Sequence, residues 1–307
     1  MTPSKLEKLQ RILACPGCGG EIDARSGDCT RCHACYLAAG GKLCFDGVWQ
    51  EVSPTAGDWF NRTKEYVKTR LAGIYPLLIQ ALSPVYTGVR RASLLAAMPV
   101  DDGIVLDLGA GPWVLAAEVI TIDLAPYPHV DVVASVERLP IRAGSTDGII
   151  SIALLEHVPD PQRVVAECRR VLKPGGRLVC FIPFMQGIHA SPYDFQRYTP
   201  EGLRHLFGDF DIEAIRAVGP TSGLIWILQE WIALLLSFNS LALYKIIYPL
   251  TFILSPLKYF DVILNRHPAR DRIATGCYVF ARKPARTDST PPLPGRVTGQ
   301  LPPADRG

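Results

Sequence analysis

Between residues 101 and 220, short runs of apolar residues alternate with longer segments whose apolar positions recur every three or four residues. The short runs predict buried strands and the periodic segments predict helices, a pattern typical of a parallel α/β sheet. In chain order, the predicted strands are Ile104–Leu108, Val119–Ile122, Val130–Ala134, Gly148–Ala153, Arg177–Ile182, Ile212–Val218 and Cys277–Ala281. Asp160, followed by Pro161, predicts the start of a helix that runs to about Leu172. Thr199 predicts the start of another helix in the same way.

The segment 221–268 is much more apolar than the short hairpin needed between the last two strands. Its longest uncharged run has 14 residues, fewer than the ~20 that a membrane-spanning helix needs. Pro249 and Pro256 are expected to break its helices further. We expect residues 224–260 to contact the inner face of the membrane peripherally, or to cover an apolar substrate. The alternative is a buried helical cap or a contact between subunits.

Composition divides the chain into further parts. Residues 1–50 are rich in cysteine and glycine and predict a small N-terminal domain. Residues 51–100 predict a helical connector, and residues 101–283 predict the α/β domain. Residues 284–307 hold six prolines and no apolar period, so they predict a disordered tail.

The overall composition narrows the function classes. Of 307 residues, 48% are hydrophobic and 20% are charged, which excludes a chain that is disordered throughout. The net charge of +3 does not indicate a nucleic-acid binder and favours small molecules, lipids or proteins as partners. The first turns of the chain are charged and lack the apolar core of a signal peptide, so we expect a cytoplasmic protein.

A cluster of cysteines near the N-terminus has metal-binding spacing. Cys15 and Cys18 form one CxxC pair, and Cys29 and Cys32 form a second. Two such pairs can supply four thiolates in a tetrahedron, so they predict a structural Zn²⁺ site without a catalytic position. Cys35 forms a third CxxC with Cys32 and is an alternative to Cys29. The other alternative is a set of reduced cysteines without a metal.

This cysteine segment resembles the Trm112-like zinc ribbon over about residues 9–50. In that family an aromatic residue follows the second CxxC by four positions, as Tyr36 follows Cys32 here. The resemblance implies that Cys29 is the ligand rather than Cys35, and that the module accompanies a methyltransferase. The chain departs from the family at Leu37, where proline is common.

A glycine-rich turn follows the first strand of the α/β block. Gly109 and Gly111 permit a ligand to approach the backbone closely. Asp107 lies at the end of that strand, and Asp123 ends the next strand, where a carboxylate can accept both hydroxyls of a ribose. Val114 replaces the third glycine of a dinucleotide-binding turn. The pattern indicates a nucleoside ligand, and the alternative is an ordinary turn between strand and helix.

Three segments in this order resemble a class I S-adenosylmethionine-dependent methyltransferase of the type 11 group: Ile104–Gly111, Leu155–Pro161 and Arg170–Gly176. The resemblance implies an α/β fold with a Rossmann-like seven-stranded methyltransferase sheet, here with a small N-terminal zinc ribbon and an apolar helical insertion before the last strand. It implies these contacts with S-adenosylmethionine: Asp107, Gly109, Ala110 and Gly111 at the methionine end, Asp123 at the ribose, and Ser135 and Val136 beside the adenine. The short segment between the glycine turn and Asp123 implies that the first helix is truncated or absent.

The acceptor side is expected in the loop after the fifth strand, residues 183–199, which we call the acceptor loop. This loop resembles that of a subgroup of these enzymes. His157 and His189 are candidate general bases, because imidazole titrates near neutral pH. Asp194 is a third candidate catalytic residue, and with Arg197 it is a candidate for substrate binding. The alternatives are that His157 caps a turn and that Asp194 and Arg197 form a local ion pair.

These features predict methyl transfer from S-adenosylmethionine to a small, apolar or lipid-linked acceptor. An RNA methyltransferase is one alternative, because some ribosomal RNA methyltransferases carry an N-terminal zinc ribbon. The charge argues against it, since residues 1–60 hold six basic and seven acidic side chains. A non-enzymatic scaffold with a vestigial cofactor pocket is the other alternative.

Overall fold

The structure is a computed structural model that describes residues 2–37, 41–45, 81–89, 91–111, 113–189 and 193–285. Most of the predicted connector and nearly all of the predicted tail lie outside these ranges. The α-helices are α1 (Pro3–Ile12), α2 (Arg91–Ala96), α3 (Pro161–Val171), α4 (Pro200–Leu206), α5 (Pro220–Leu236), α6 (Leu241–Leu250) and α7 (Asp261–Leu264). The strands are β1 (Leu43–Cys44), β2 (Val105–Leu108), β3 (Ile120–Asp123), β4 (Val132–Val133), β5 (Thr146–Ile152), β6 (Leu172–Pro183), β7 (Asp211–Val218) and β8 (Gly276–Arg282). Short 3₁₀ segments cover Leu155–His157, Thr251–Phe260 and Arg270–Arg272.

The strands form one sheet in the order β1-β4-β3-β2-β5-β6-β8-β7. Strands β1 to β6 pair in parallel, whereas β8 lies antiparallel between β6 and β7. Strands β2 to β8 are the seven predicted ones, so the predicted fold class is confirmed. The eighth strand, β1, comes from the cysteine-rich segment and extends the edge of the sheet beside β4.

The predicted helix starts are confirmed by their hydrogen bonds. The Asp160 side chain accepts from the backbone N–H of Arg163 at the start of α3. The Thr199 hydroxyl accepts from the N–H of Gly202 at the start of α4. Each helix has proline in its first turn, where no intrahelical N–H bond is lost. These caps determine where the chain leaves the acceptor-side loops.

The N-terminal module shares its hydrophobic core with the sheet. Leu9 and Ile12 of α1 are buried in the same cluster as Leu106 of β2. The Lys5 ammonium donates to the Asp131 carboxylate at 2.7 Å, and both side chains are more than nine-tenths buried. This pair closes the contact between α1 and the edge of the sheet near β4. The division of the chain at residue 50 stays a prediction.

The insertion is a pair of helical segments folded back on each other. Pro249 and Pro256 do not break the second segment, contrary to the prediction, because the chain continues from α6 through a 3₁₀ segment into α7. Pro256 lies inside the 3₁₀ segment, where its missing N–H removes one backbone hydrogen bond without ending the helical path. By length and composition alone, this helical path, Leu241–Leu264, is long and apolar enough to cross a membrane.

Buried polar groups attach the insertion to the domain. The carboxylate of Asp261 accepts from the N–H groups of Thr221 and Ser222, and also from the Ser222 hydroxyl at 2.6 Å. It therefore caps the start of α5 from a different helix. Lys258 is buried and donates to the carbonyl of Ser83 at 2.6 Å. These contacts hold one side of the insertion against the protein.

Candidate active site

The glycine turn after β2 adopts a backbone that favours glycine. Gly109 has a φ of +69° and Gly111 a φ of +58°. A Cβ on Gly109 would lie 2.8 Å from Cδ1 of Leu154, so that position is closed by packing. A Cβ on Gly111 would meet no described protein atom within 4 Å. The backbone at Gly111 therefore borders open space at the carboxyl edge of the sheet.

Two aspartates flank this turn. Asp123 ends β3, and its carboxylate accepts from the N–H groups of Gly111 at 2.8 Å and Ala125 at 2.7 Å. Asp107 lies within β2 and is 4% exposed. Because parallel strands end at the same edge, the turn and both carboxylates lie at the carboxyl edge of the sheet.

The predicted adenine-side residues follow β4. Ser135 accepts a hydrogen bond from the N–H of Glu137 at 3.2 Å, and Val136 is buried. Ala134, just before them, donates its N–H to the carbonyl of Asp123 at 3.1 Å. This hydrogen bond places the chain after β4 beside the end of β3.

The described residues between Gly111 and Ile120 contain no helix, in agreement with the predicted loss of the first helix. His129 instead contacts this turn, with Nε2 at 2.8 Å from the carbonyl of Gly111. The open space beside the turn and the aligned Asp123 carboxylate fit the methionine and ribose ends of S-adenosylmethionine. The role of each residue in cofactor binding stays a prediction.

The acceptor side brings together both predicted histidines and a carboxylate that the sequence analysis did not select. His157 lies in the 3₁₀ turn after β5, and His189 lies in the loop after β6. Their ring centroids are 5.3 Å apart and nearly perpendicular. Glu156 is fully buried, and one of its oxygens lies 3.7 Å from Nε2 of each histidine. The signal was present in the Leu155-Glu-His motif, where only the histidine was selected.

Asp194, the third predicted catalytic residue, orders the acceptor loop. Its carboxylate pairs with the Arg197 guanidinium and accepts from the N–H of His189 at 2.9 Å. Burial alone raises the pKa of Asp194, but the hydrogen bonds from Arg197 and His189 outweigh it and lower the pKa to about 2. A carboxylate with so low a pKa is a weak base at neutral pH, and the catalytic role of Asp194 stays a prediction. The local ion pair, the alternative interpretation, describes its contacts.

The apolar insertion reaches the acceptor loop through Trp226 of α5. The Trp226 ring lies 5.6 Å from the His189 ring, centroid to centroid. A Cβ on Gly187 would lie 2.5 Å from the indole nitrogen of Trp226, so glycine permits this close approach. The insertion therefore forms part of the wall beside the histidines.

The four predicted zinc ligands converge in the N-terminal module. The sulfur atoms of Cys15 and Cys32 are 3.6 Å apart, and those of Cys18 and Cys29 are 3.5 Å apart. All four sulfur atoms lie within 4.8 Å of one another. A tetrahedron with Zn–S bonds of about 2.3 Å requires sulfur atoms about 3.8 Å apart, so the cluster fits zinc.

Two neighbouring residues refine this assignment. The Cys35 sulfur is not among the four and lies 3.8 Å from the carbonyl of Ser26. The Tyr36 hydroxyl lies 3.1 Å from the Cys15 sulfur. Burial raises the pKa of Cys15, but the bonds from Tyr36 and nearby backbone groups lower it to about 6. The thiolate that a metal requires is therefore favoured there.

Comparison with known proteins identifies the class of domain. Residues 106–180 match a family model described as a methyltransferase domain. The chain is 32% identical over 164 residues to a ubiquinone biosynthesis O-methyltransferase of Xanthomonas oryzae pv. oryzae strain PXO99A, covering 43% of this chain and 64% of that relative. It thus spans less than two thirds of the relative's length. These comparisons match residues 106–180 to a methyltransferase domain, in agreement with the resemblance seen in the sequence.

Two further similarities complete the comparison. The same enzyme of Xanthomonas campestris pv. campestris strain B100 is 32% identical over 164 residues, with the same 43% and 64% coverage. The solved Haemonchus contortus phosphoethanolamine N-methyltransferase 2 with S-adenosyl-L-methionine is 16% identical, with a TM-score of 0.43, and covers 72% of this chain and 60% of that one.

Proposed function

We propose that this protein transfers a methyl group from S-adenosylmethionine to a small acceptor with an apolar or lipid-linked part. The observation that carries the proposal is the contact between Trp226 of the apolar insertion and His189 of the acceptor loop. An acceptor whose reactive group lies beside His189 would extend along α5. The relatives named as ubiquinone biosynthesis O-methyltransferases support this acceptor class.

The outer side of the insertion supports the same acceptor. It exposes large apolar side chains over α5, the turn after it, α6 and the 3₁₀ segment: Trp231, Leu234, Leu235, Phe238, Leu250 and Ile253. Phe238 and Ile253 are 81% and 83% exposed. Soluble monomers rarely expose so many adjacent apolar groups without a binding partner. A membrane surface would cover this face and hold the apolar part of the acceptor.

The charges near the end of the insertion favour contact with an anionic membrane. Arg266 and Arg272 are exposed after α7 and outnumber the exposed Asp271 beside them, whereas the acidic Asp261 is buried as a helix cap. Exposed arginines attract anionic lipid head groups at a cytoplasmic leaflet. The protein would then bind the membrane peripherally, with the glycine turn on the aqueous side.

We also propose that the four cysteines hold a structural zinc ion. Their sulfur atoms are spaced as a tetrahedral site requires, and the module packs into the core of the sheet. The zinc would stabilise the edge strand β1 rather than take part in the reaction.

Labelled S-adenosylmethionine and a lipid extract test the acceptor proposal. With the purified protein, we expect label in the organic phase, and we expect Asp123→Ala to abolish both this label and cofactor binding. Label in RNA would refute the lipid-linked acceptor and support the RNA methyltransferase. A folded protein without cofactor binding would support the scaffold.

Flotation with vesicles of phosphatidylcholine and phosphatidylglycerol tests the membrane contact. The double variant Leu234→Ser with Leu235→Ser should float poorly, because each substitution removes exposed apolar area worth about 1.5–3 kcal/mol when buried. Leu37→Ser in the N-terminal module is the matched control, since Leu37 is 40% exposed and distant in sequence from the insertion. Equal flotation of the two variants would contradict the proposed surface.

A further inference from the structure

Three ligand-type atoms converge between the 3₁₀ turn and the acceptor loop. They are a carboxylate oxygen of Glu156 and the Nε2 atoms of His157 and His189, all within 4.8 Å of one another. Glu156 is 0% exposed, and neither of its carboxylate oxygens accepts a hydrogen bond from any described residue. A buried carboxylate without a hydrogen-bond donor is costly, so a cation bound at this position would stabilise it.

The other ring nitrogens determine what the two Nε2 atoms present. Nδ1 of His157 lies 2.6 Å from the carbonyl of Tyr193, and Nδ1 of His189 lies 3.0 Å from the carbonyl of Gly187. Carbonyl oxygens only accept hydrogen bonds, so Nδ1 carries the proton in both rings; this tautomer is assigned from the network. Arg197 lies farther from the His189 Nδ1, at 3.4 Å. Nε2 is then the ring nitrogen left to act as a metal ligand, and in both rings it is the nitrogen that lies 3.7 Å from the Glu156 oxygen.

The positive charge of Arg197 is directed to a different carboxylate. The Arg197 guanidinium is paired with Asp194. The Glu156 oxygen instead faces Nε2 of His157 and of His189, each at 3.7 Å.

We propose that Glu156, His157 and His189 bind a divalent first-row transition metal ion at the acceptor loop. Two imidazoles and one carboxylate form a ligand set that suits Zn²⁺, Fe²⁺ or Mn²⁺ and leaves positions open for a further ligand. Ligands at metal distances of about 2.1 Å lie about 3–3.5 Å apart. The Glu156 oxygen lies 3.7 Å from each Nε2, only a few tenths of an ångström beyond this range.

The hydrogen bonds around the proposed ligands support this assignment. Metal-bound histidines commonly donate their other N–H to a backbone carbonyl, as both do here. Gln196 ties the acceptor loop to the 3₁₀ turn by donating to the carbonyls of Leu155 and Val158, at 3.0 Å each. These bonds fix the distance between the two segments that supply ligands.

The function of the ion rests on the proposed methyl transfer. An acceptor hydroxyl bound at an open position would have a lowered pKa, and its proton would pass to solvent. The oxygen would then form a bond to the methyl carbon as the carbon–sulfur bond breaks. The electron pair of that bond stays on sulfur, which gives S-adenosylhomocysteine.

Titration of the zinc-loaded protein with Co²⁺ tests the site without measuring methyl transfer. We expect one further equivalent of Co²⁺ with weak visible absorption and no thiolate charge-transfer band, which separates it from the cysteine site. Glu156→Gln and His189→Gln should weaken this binding by about 100-fold or more. His205→Gln, an exposed histidine in α4, should bind Co²⁺ as the unmodified protein does.

A second measurement serves if a variant fails to fold. In the unmodified protein, Co²⁺ should shift and broaden the imidazole NMR signals of His157 and His189 and leave those of His205 unchanged. No further equivalent of Co²⁺, or equal binding in Glu156→Gln, would overturn the metal site. Signals of protonated imidazolium at pH 8 in metal-free protein would also overturn it, because protons would then supply the charge. Metal binding without labelled product would leave the site intact and refute the proposed reaction.

Discussion

The buried carboxylate of Asp261 should determine whether the apolar insertion stays attached to the domain. It is 0% exposed and accepts three hydrogen bonds at the start of α5, from two backbone N–H groups and one hydroxyl. Replacing Asp261 by alanine leaves all three donors without this acceptor. Each unsatisfied buried group costs about 1–3 kcal/mol, and the favourable interaction with the helix dipole is lost as well.

These terms are not additive, so we expect Asp261→Ala to lower the free energy of unfolding by about 3–5 kcal/mol. At roughly 2–4 °C per kcal/mol, the unfolding temperature should fall by about 10 °C. Thermal and urea unfolding measure this change. Asp271→Ala, at an exposed aspartate close in sequence, should change stability by less than about 0.5 kcal/mol.

Hydrogen exchange adds the location of the effect. Relative to the unmodified protein, Asp261→Ala should accelerate amide exchange more in α5 than in β5, because the insertion can open without the sheet. A loss of stability below about 1 kcal/mol, or equal acceleration in α5 and β5, would refute the reasoning. Opening of α5 would also loosen Trp226, and with it the wall beside His189.

Three further predictions concern single groups. The pKa of Asp194 falls from 3.8 to about 2 on folding, so its carboxylate contributes about 2 kcal/mol to the free energy of unfolding. This contribution should be complete above pH ~4 and be lost as the pH falls toward 2. Acid unfolding of Asp194→Asn should lack this pH dependence. Cys32→Ser should lose bound zinc by elemental analysis whereas Cys35→Ser retains it, and equal zinc contents would contradict the four-sulfur cluster. Lys5→Met leaves the buried Asp131 carboxylate without its ammonium partner, and should cost about 3–5 kcal/mol in urea unfolding; a loss comparable to that of an exposed lysine would show that the pair is not needed.

Local sequence patterns predicted most of the sheet. Apolar runs of four to seven residues became β2, β3, β5, β7 and β8, and two polar-proline pairs marked the starts of α3 and α4. The sequence also placed glycines in the turn after β2, where the backbone has positive φ angles that glycine adopts without strain. CxxC spacing likewise predicted four sulfur atoms that converge.

Other features depended on residues distant in sequence. Strand β1 is two residues long and has no apolar period of its own, so only its pairing with β4 defines it. The prolines of the insertion predicted breaks, but packing against α5 and the cap from Asp261 keep the helical path continuous. Local propensity is weaker than several buried hydrogen bonds, so tertiary contacts decided this region.

The sequence by itself determined the class of domain, because the strand, the glycine turn and the acidic strand end follow one another within a short segment and depend on local residues. Only the tertiary structure decided the composition of the acceptor site. His157 and His189 are separated by 32 positions in the sequence. Nothing in the sequence distinguishes Glu156, which folding buries beside both rings. Burial removes water from Glu156 and places two imidazoles beside it, and that change of surroundings turns an ordinary motif residue into a candidate metal ligand.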